Sequence, residues 1–237
     1  MANITGDFNW NKLEVYTSFV QGADARAIYD SLEGAMRNGI VFDDKTNTLI
    51  GSNVFAAAKI DTLVRPLKMR VANLRDLSRP EVMSRDKDRF YTNAPALVLR
   101  SLDDSYKRNL PLIKQISQEV ERANKKFELP VMITGFDVKA VEDENGYGIS
   151  FVPRDDFRAV YDERLKGEHN TKRFSEVDDL GLPKFDINGS RTWYTRNSGL
   201  SGLFLGRGLG VFSWSGDLSY SNGVGRVVLV SAEGTAK

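Results

Sequence analysis

The chain of 237 residues is long enough for one large domain or two small ones, and its 41% hydrophobic and 27% charged residues are ordinary for a soluble globular protein. Its formal net charge of +1 is lower than is usual for a dedicated duplex-DNA-binding protein. The absence of cysteine excludes disulfides, thiolate nucleophiles and zinc–cysteine sites, and no apolar run is long enough to predict a membrane-spanning helix.

The N-terminal part, residues 1–129, is predicted to be rich in helix. Apolar residues at helical spacing predict a helix over residues 23–37, which ends before Gly39. Residues 40–51 then predict a small hairpin, because two short apolar runs flank a polar turn.

A basic strand is expected next, over residues 67–71. Its apolar residues alternate with Lys68 and Arg70, which is the period of a half-buried strand, and Pro66 places it near a sheet edge. Lys68, Arg70 and the nearby Arg75 are candidate phosphate contacts for a nucleic acid. Charge on an edge strand also protects against aggregation, and this is the more general explanation.

Three helices are predicted in the rest of this part. A capping box at residues 78–81 predicts a short helix to about residue 90, and a second helix is expected from Pro95 towards Arg108. The clearest helical periodicity in the chain covers residues 109–127, where apolar residues form one stripe.

The C-terminal part, residues 130–237, is predicted to be rich in strand. Two β-rich runs, 131–141 and 147–152, flank an Asn-Gly pair that is typical of a hairpin. A short helix is expected over residues 155–165, and the polar residues 166–190 predict an extended connection.

Three further apolar runs, 200–205, 209–214 and 226–230, are separated by glycine, and residues 231–237 predict a frayed tail. The glycine-rich residues 206–210 are expected to be flexible with exposed backbone amides. The fold class that follows is α+β, a single compact domain with the helix-rich part packed on an antiparallel β-rich part.

No motif of a catalytic or metal site is present. The single histidine cannot form a multi-histidine site, and the phosphate-loop, nucleophile-elbow and zinc-helix patterns are all missing. We therefore expect no cofactor, no metal and no enzymatic activity, although carboxylates that meet only in the folded chain would favour an enzyme acting on a phosphorylated or sugar substrate.

A cluster of arginine and aromatic residues is the strongest functional signal. Arg191, Trp193, Tyr194 and Arg196 lie within six residues, and on a strand Arg191 and Trp193 share one face. Single-stranded nucleic acid needs a cationic path for its backbone and aromatic faces for its bases. These four residues, with Arg207, are candidate binding residues, and Phe204, Trp214 and Tyr220 are further candidates. Phe204, Phe212 and Leu205 are nevertheless expected to be core residues and not a base platform. The same composition also occurs in glycine-rich sheets without a ligand and in sugar-binding sheets.

The segment RTWYTRNSGLSGLFLGRGLGVFSWSG and the later GRVVLVSAEG, with the helical first half, resemble the single-stranded-DNA-binding RNA-polymerase cofactor of N4-related bacteriophages. The resemblance implies a phage protein of the host cytoplasm that binds single-stranded DNA and assists a phage RNA polymerase. The near-neutral charge is the feature that fits it least.

The leading hypothesis is thus a non-enzymatic single-stranded-DNA-binding protein without membrane association. The alternative is a structural or protein-interaction module, including a homo-oligomer, that assembles through β-strand edges.

Overall fold

The structure, a computed structural model, describes residues 4–5, 17–79, 90–123 and 128–231. Thirteen strands and four α-helices form within these ranges. The helices are α1 (Ala25–Asp30), α2 (Val54–Val64), α3 (Leu74–Leu77) and α4 (Leu110–Ala123). The strands are β1 (Thr17–Phe19), β2 (Val41–Asp43), β3 (Thr48–Ile50), β4 (Met69–Val71), β5 (Thr92–Leu99), β6 (Val131–Ala140), β7 (Ile149–Tyr161), β8 (Arg173–Val177), β9 (Pro183–Phe185), β10 (Arg191–Thr195), β11 (Leu200–Leu205), β12 (Val211–Ser213) and β13 (Val228–Ser231).

One large sheet joins both parts of the chain. Its strand order is β7-β6-β5-β11-β12-β10-β8-β9, and all neighbours are antiparallel except the parallel pair β10 and β12. A smaller sheet has the order β1-β13-β4, and β2 pairs with β3 in a hairpin. The fold is therefore α+β with a large, mainly antiparallel sheet, as the sequence predicts.

The large sheet has a core on each face. Helices α2 and α4 pack against β5, β6 and β7 and form the first core with Phe55, Ile60 and Ile116. The second core packs α3 and β13 against the other face of the sheet, and it contains Phe174 and Trp193. Because side chains alternate along a strand, β5 supplies Leu97 and Leu99 to the first core and Val98 to the second. The candidate site lies beside the first core, whose Val54 and Leu218 line it.

Local sequence explains where the main helices begin and what they bury. The Asn53 side chain accepts a hydrogen bond from the Ala56 amide at 2.8 Å and so caps α2. The predicted stripe of α4 is buried at Ile113, Ile116 and Val120, which confirms the helical periodicity. None of the helices in the described ranges is long and apolar enough to cross a membrane.

The segment predicted as a helix from Pro95 towards Arg108 instead contains strand β5. This strand lies inside the large sheet, where β11 pairs with Thr92 and Asn93 and again with residues 97–99, while β6 pairs with residues 97–99. Pro95 falls at the irregularity between the paired stretches, so its missing N–H removes no ladder hydrogen bond.

The predicted helix over residues 155–165 is also wrong. Strand β7 continues to Tyr161 and pairs with β6, with Tyr161 opposite Val131, and only residues 163–165 form a short 3-10 turn. Phe157 and Ala159 pack against the first core, which shows the two-residue period of a strand.

Other expectations are refined by the structure. The segment 23–37 forms α1 and a separate 3-10 turn, which begins at Gly34 with a φ of +50° that a continuous right-handed helix does not allow. The predicted hairpin over 40–51 is confirmed as β2 and β3. Residues 166–190 contain the paired strands β8 and β9. The helix predicted from residue 78 to 90, the end of the helix predicted to 127 and the tail after Ser231 lie outside the described residues.

Candidate functional site

A row of aromatic rings crosses the large sheet at β10, β12 and β11. Tyr194, Phe212 and Phe204 are direct cross-strand partners, so their side chains emerge on the same face. The stacked rings of Tyr194 and Phe212 have centroids 4.4 Å apart, and those of Phe212 and Phe204 are stacked at 5.0 Å. All three side chains are half-buried, so the row presents aromatic surface to solvent, and the expectation that Phe204 and Phe212 are core residues is wrong.

The row borders a cleft of about 740 Å³, which we call the aromatic cleft. Phe204 and Phe212 line it together with Trp214 and Tyr220, which are 58% and 57% exposed. The centroids of Phe212 and Trp214 lie 6.5 Å apart, so the indole extends the row. Flat apolar faces at this spacing suit planar ligands such as nucleobases.

Polar groups in the cleft wall have fixed positions. The Tyr91 hydroxyl donates to the Ser52 carbonyl at 3.1 Å and accepts from the Asn222 amide at 3.0 Å, and burial raises its pKa. The Asn93 side chain donates to the same carbonyl at 2.8 Å. Sequence reasoning missed Tyr91 and Asn93, since neither lies in a motif. Asn93 reaches the cleft through its pairing with Phe204 of β11, and Tyr91 forms a bridge with Gly225.

A tight turn over residues 206–210 supports the row. The Gly206 amide donates to the Gly210 carbonyl at 2.8 Å, and the Leu209 amide donates to the Gly206 carbonyl at 3.1 Å. A Cβ atom on Gly206 would lie 2.3 Å from Cε2 of Phe212, so glycine leaves the space that this ring occupies. The expectation of exposed amides is therefore wrong for these two groups, and the turn holds Arg207 exposed in the cleft lining.

Trp193 and Arg191 point into the second core. Trp193 is fully buried, and its Nε1 donates to the Arg164 carbonyl at 3.1 Å. Arg191 is 3% exposed, its Nε donates to the Leu209 carbonyl at 2.8 Å, and its guanidinium lies over the Phe174 ring. Burial lowers the pKa of Arg191 to about 10. Both residues therefore have a structural role, which corrects the prediction that they contact nucleic acid.

Arg196 is held by a buried carboxylate. Its Nη2 lies 2.6 Å from Oδ1 of Asp104, and the same oxygen accepts from the Tyr106 amide at 2.9 Å. The other carboxylate oxygen, Oδ2, accepts from Asn109 Nδ2 at 2.7 Å and from the Leu200 amide at 2.8 Å. Burial opposes the ionisation of Asp104, but these donors outweigh it and hold the pKa of Asp104 below its ordinary value. Arg196 thus links two loops instead of facing a phosphate.

The basic residues around β4 are not part of the cleft lining. Arg70 binds Asp76 through two hydrogen bonds of 2.5 and 2.8 Å, and Arg75 Nη2 lies 3.0 Å from Asp179. Lys68 is exposed. Strand β4 is an edge strand of the small sheet, as expected, so edge protection is the better interpretation. Of the eight candidate binding residues, the structure brings only Arg207 and Tyr194 to the aromatic cleft or its row.

One group of potential metal ligands occurs within the described ranges. Ligand atoms of Glu163, Glu168 and His169 lie within 4.8 Å of one another. Lys166 Nζ donates to Glu163 Oε1 at 3.0 Å, and Lys172 Nζ lies 2.7 Å from His169 Nδ1. Because ammonium groups already engage two of the three ligands, we assign no metal to this group.

Comparison of the chain with protein-family models, curated proteins and solved structures found no match. The resemblance to the phage polymerase cofactor therefore stays a prediction.

Proposed function

We propose that the protein binds single-stranded DNA by stacking bases on the aromatic cleft, without converting the bound strand chemically. The observation that carries the proposal is the stacked row of Tyr194, Phe212 and Phe204, which continues to the exposed ring of Trp214. Stacking of a base on an aromatic side chain contributes about 1–3 kcal/mol and tolerates any base, because every base has a π-face.

The charged groups of the cleft favour binding over catalysis. Among the described residues that line it, Asp217 carries the negative charge and Arg207 the positive charge. Asp217 Oδ1 accepts hydrogen bonds from the Ser219 amide at 3.0 Å and the Ser219 hydroxyl at 2.8 Å. A single carboxylate that is already hydrogen-bonded gives no acid–base pair of the kind that general catalysis uses.

Assembly through strand edges has less support. The edge strand β7 carries four charged residues near its middle: Arg154, Asp155, Asp156 and Arg158. Charged side chains on an edge oppose pairing with another chain. The aromatic cleft, in contrast, presents surface that a ligand would cover.

A narrower form of the proposal, assistance to a phage RNA polymerase in the host cytoplasm, is supported by the sequence resemblance alone. A transcription assay on single-stranded promoter DNA, with and without the protein, tests it separately from DNA binding.

Tryptophan fluorescence provides the test of DNA binding. The chain has three tryptophans, so a Trp10→Phe background leaves the buried Trp193 and the exposed Trp214. We expect oligo-dT to quench the fluorescence at low salt and expect the additional change Trp214→Phe to abolish the quenching. The change Trp214→Ala should weaken binding by about 5- to 150-fold, which corresponds to one lost stacking interaction.

Tyr161 supplies the matched control, since it is an aromatic residue with 41% exposure outside the cleft lining. Tyr161→Ala should leave the affinity unchanged. The proposal fails if oligo-dT does not bind at micromolar concentration at low salt, or if Trp214→Ala and Tyr161→Ala have equal effects.

A further inference from the structure

A second cavity shares a wall with the aromatic cleft. Its volume is about 590 Å³, and its lining includes Arg37, Arg108 and Tyr147. Leu218 lines the aromatic cleft, whereas the next residue, Ser219, lines this second cavity. We call it the arginine cavity, and residues of the segment 217–220 line both sites.

Both guanidinium groups of the arginine cavity are held by rings and carbonyl groups. Arg37 lies 4.6 Å from the centroid of the Tyr29 ring, and its Nη2 donates to the Tyr29 carbonyl at 3.0 Å. Arg108 lies 4.5 Å from the centroid of the Tyr147 ring, and its Nε donates to the Gly146 carbonyl at 3.2 Å. Such stacking fixes the planar group while most of its five N–H donors stay available.

Neither Arg37 nor Arg108 forms a salt bridge with a carboxylate in the described part of the chain, since their contacts are with rings and carbonyl groups. Other arginines differ, since Arg70 and Arg196 lie 2.5 and 2.6 Å from carboxylate oxygens. In addition, Nε of Arg37 is buried and makes no hydrogen bond within the described residues. Two unneutralised guanidinium groups on one cavity attract an anion.

The carboxylate of the shared wall opposes this attraction only in part. Asp217 lies in the segment between the two sites, and its Oδ1 is taken up by the amide and hydroxyl of Ser219. Asp217 also balances Arg207 in the lining of the aromatic cleft. The cleft therefore offers stacking surface with little net charge, while the adjoining cavity carries two positive charges.

We infer that Arg37 and Arg108 bind a phosphate group of the same strand whose bases stack in the aromatic cleft. The inference rests on the proposed function and adds the backbone contact that the cleft itself lacks. Arginine suits this role because its fork of donors matches the oxygens of a phosphate. The near-neutral net charge of +1 is compatible with it, because the two charges that matter lie in one cavity beside the cleft.

The salt dependence of oligo-dT binding tests the inference. Each phosphate contact on a single strand contributes about 0.7 to the slope of log affinity against log salt. We expect Arg37→Gln and Arg108→Gln each to reduce the slope by about this amount. Between about 50 and about 200 mM salt, this makes the loss of affinity about 2.6-fold smaller for each variant.

Arg122→Gln is the matched control for charge. Arg122 lies near the end of α4, its side chain is 71% exposed, and it pairs with Glu119. Because about 20 Å of helix separates it from Arg108, we expect its slope to equal that of the unchanged protein. Circular dichroism of each variant verifies that the fold is retained, and Arg108→Lys, which keeps the charge, should restore most of the slope.

Inorganic pyrophosphate, followed by line broadening of its phosphorus resonance, separates failure of the inference from failure of the proposed function. Broadening that Arg108→Gln removes, together with a reduced slope, supports the inference. Quenching of Trp214 by oligo-dT with unchanged slopes in both arginine variants overturns it and leaves stacking in the cleft intact. Pyrophosphate binding without any oligo-dT binding also overturns it, because the cavity would then serve free phosphate compounds.

Discussion

The pair formed by Asp104 and Arg196 gives a sharp test of whether Arg196 is structural. Asp104 is 2% exposed and accepts four hydrogen bonds, one of them from Arg196 at 2.6 Å. The change Asp104→Ala removes all four acceptor contacts, whereas Arg196→Ala leaves a buried carboxylate with three donors. Both changes should therefore destabilise the fold, although they alter opposite charges.

The magnitude follows from the burial of the pair. Removing one partner of a buried ion pair costs about 3–5 kcal/mol, because the other charge is left without compensation. In Asp104→Ala the Arg196 side chain is left with 14% exposure, so water offsets part of that loss, but the change also leaves the donors of Tyr106, Asn109 and Leu200 without their acceptor. We expect a loss of about 4 kcal/mol for Asp104→Ala, about 3 kcal/mol for Arg196→Ala, and a coupling energy of at least about 1 kcal/mol in the double mutant.

Urea unfolding followed by circular dichroism measures all four corners of this cycle. Arg122→Ala provides the comparison, since its exposed pair with Glu119 should contribute less than about 1 kcal/mol. If Arg196→Ala costs no more than Arg122→Ala but weakens oligo-dT binding, Arg196 acts as a phosphate contact, and the structural interpretation is refuted.

Two further predictions follow from the same contacts. Because hydrogen bonds hold the pKa of folded Asp104 below its ordinary value of 3.8, its contribution to stability is present above that value and is lost as the pH falls through the lower, folded pKa. Urea midpoints between about pH 2 and pH 6 should fall more steeply for the unchanged protein than for Asp104→Asn; parallel curves would contradict this. Gly206→Ala places a Cβ atom 2.3 Å from the Phe212 ring, so it should displace that ring and weaken oligo-dT binding by about tenfold with the fold retained; unchanged affinity would show that the row is not a base platform.

Local sequence pattern predicts an element correctly where residues close in the sequence stabilise that element. The stripe of α4 and the hairpin of β2 and β3 follow from spacing that the chain displays within about 20 residues. Strand β5 could not be predicted in this way, since it is defined by its partners β6 and β11, and Leu97 pairs with Gly202 more than 100 residues later. A short apolar run beside a proline has no local signal that separates a central strand from a helix.

In the candidate site, alternation along a strand predicts which residues share a face, whereas packing determines which of the two faces is buried. Alternation along β10 correctly separates Arg191 and Trp193 from Tyr194 and Arg196, but it does not reveal which face is covered. Burial of an indole of about 200 Å² at about 25 cal/mol per Å² contributes roughly 5 kcal/mol, so the second core takes Trp193, and Tyr194 is left on the open face. By the same estimate, the exposed ring of Trp214 lacks much of the stabilisation that burial would provide. Among the described residues, this ring is 58% exposed at the end of a stacked row. A ligand that covers it would therefore bury its apolar surface and gain the corresponding free energy.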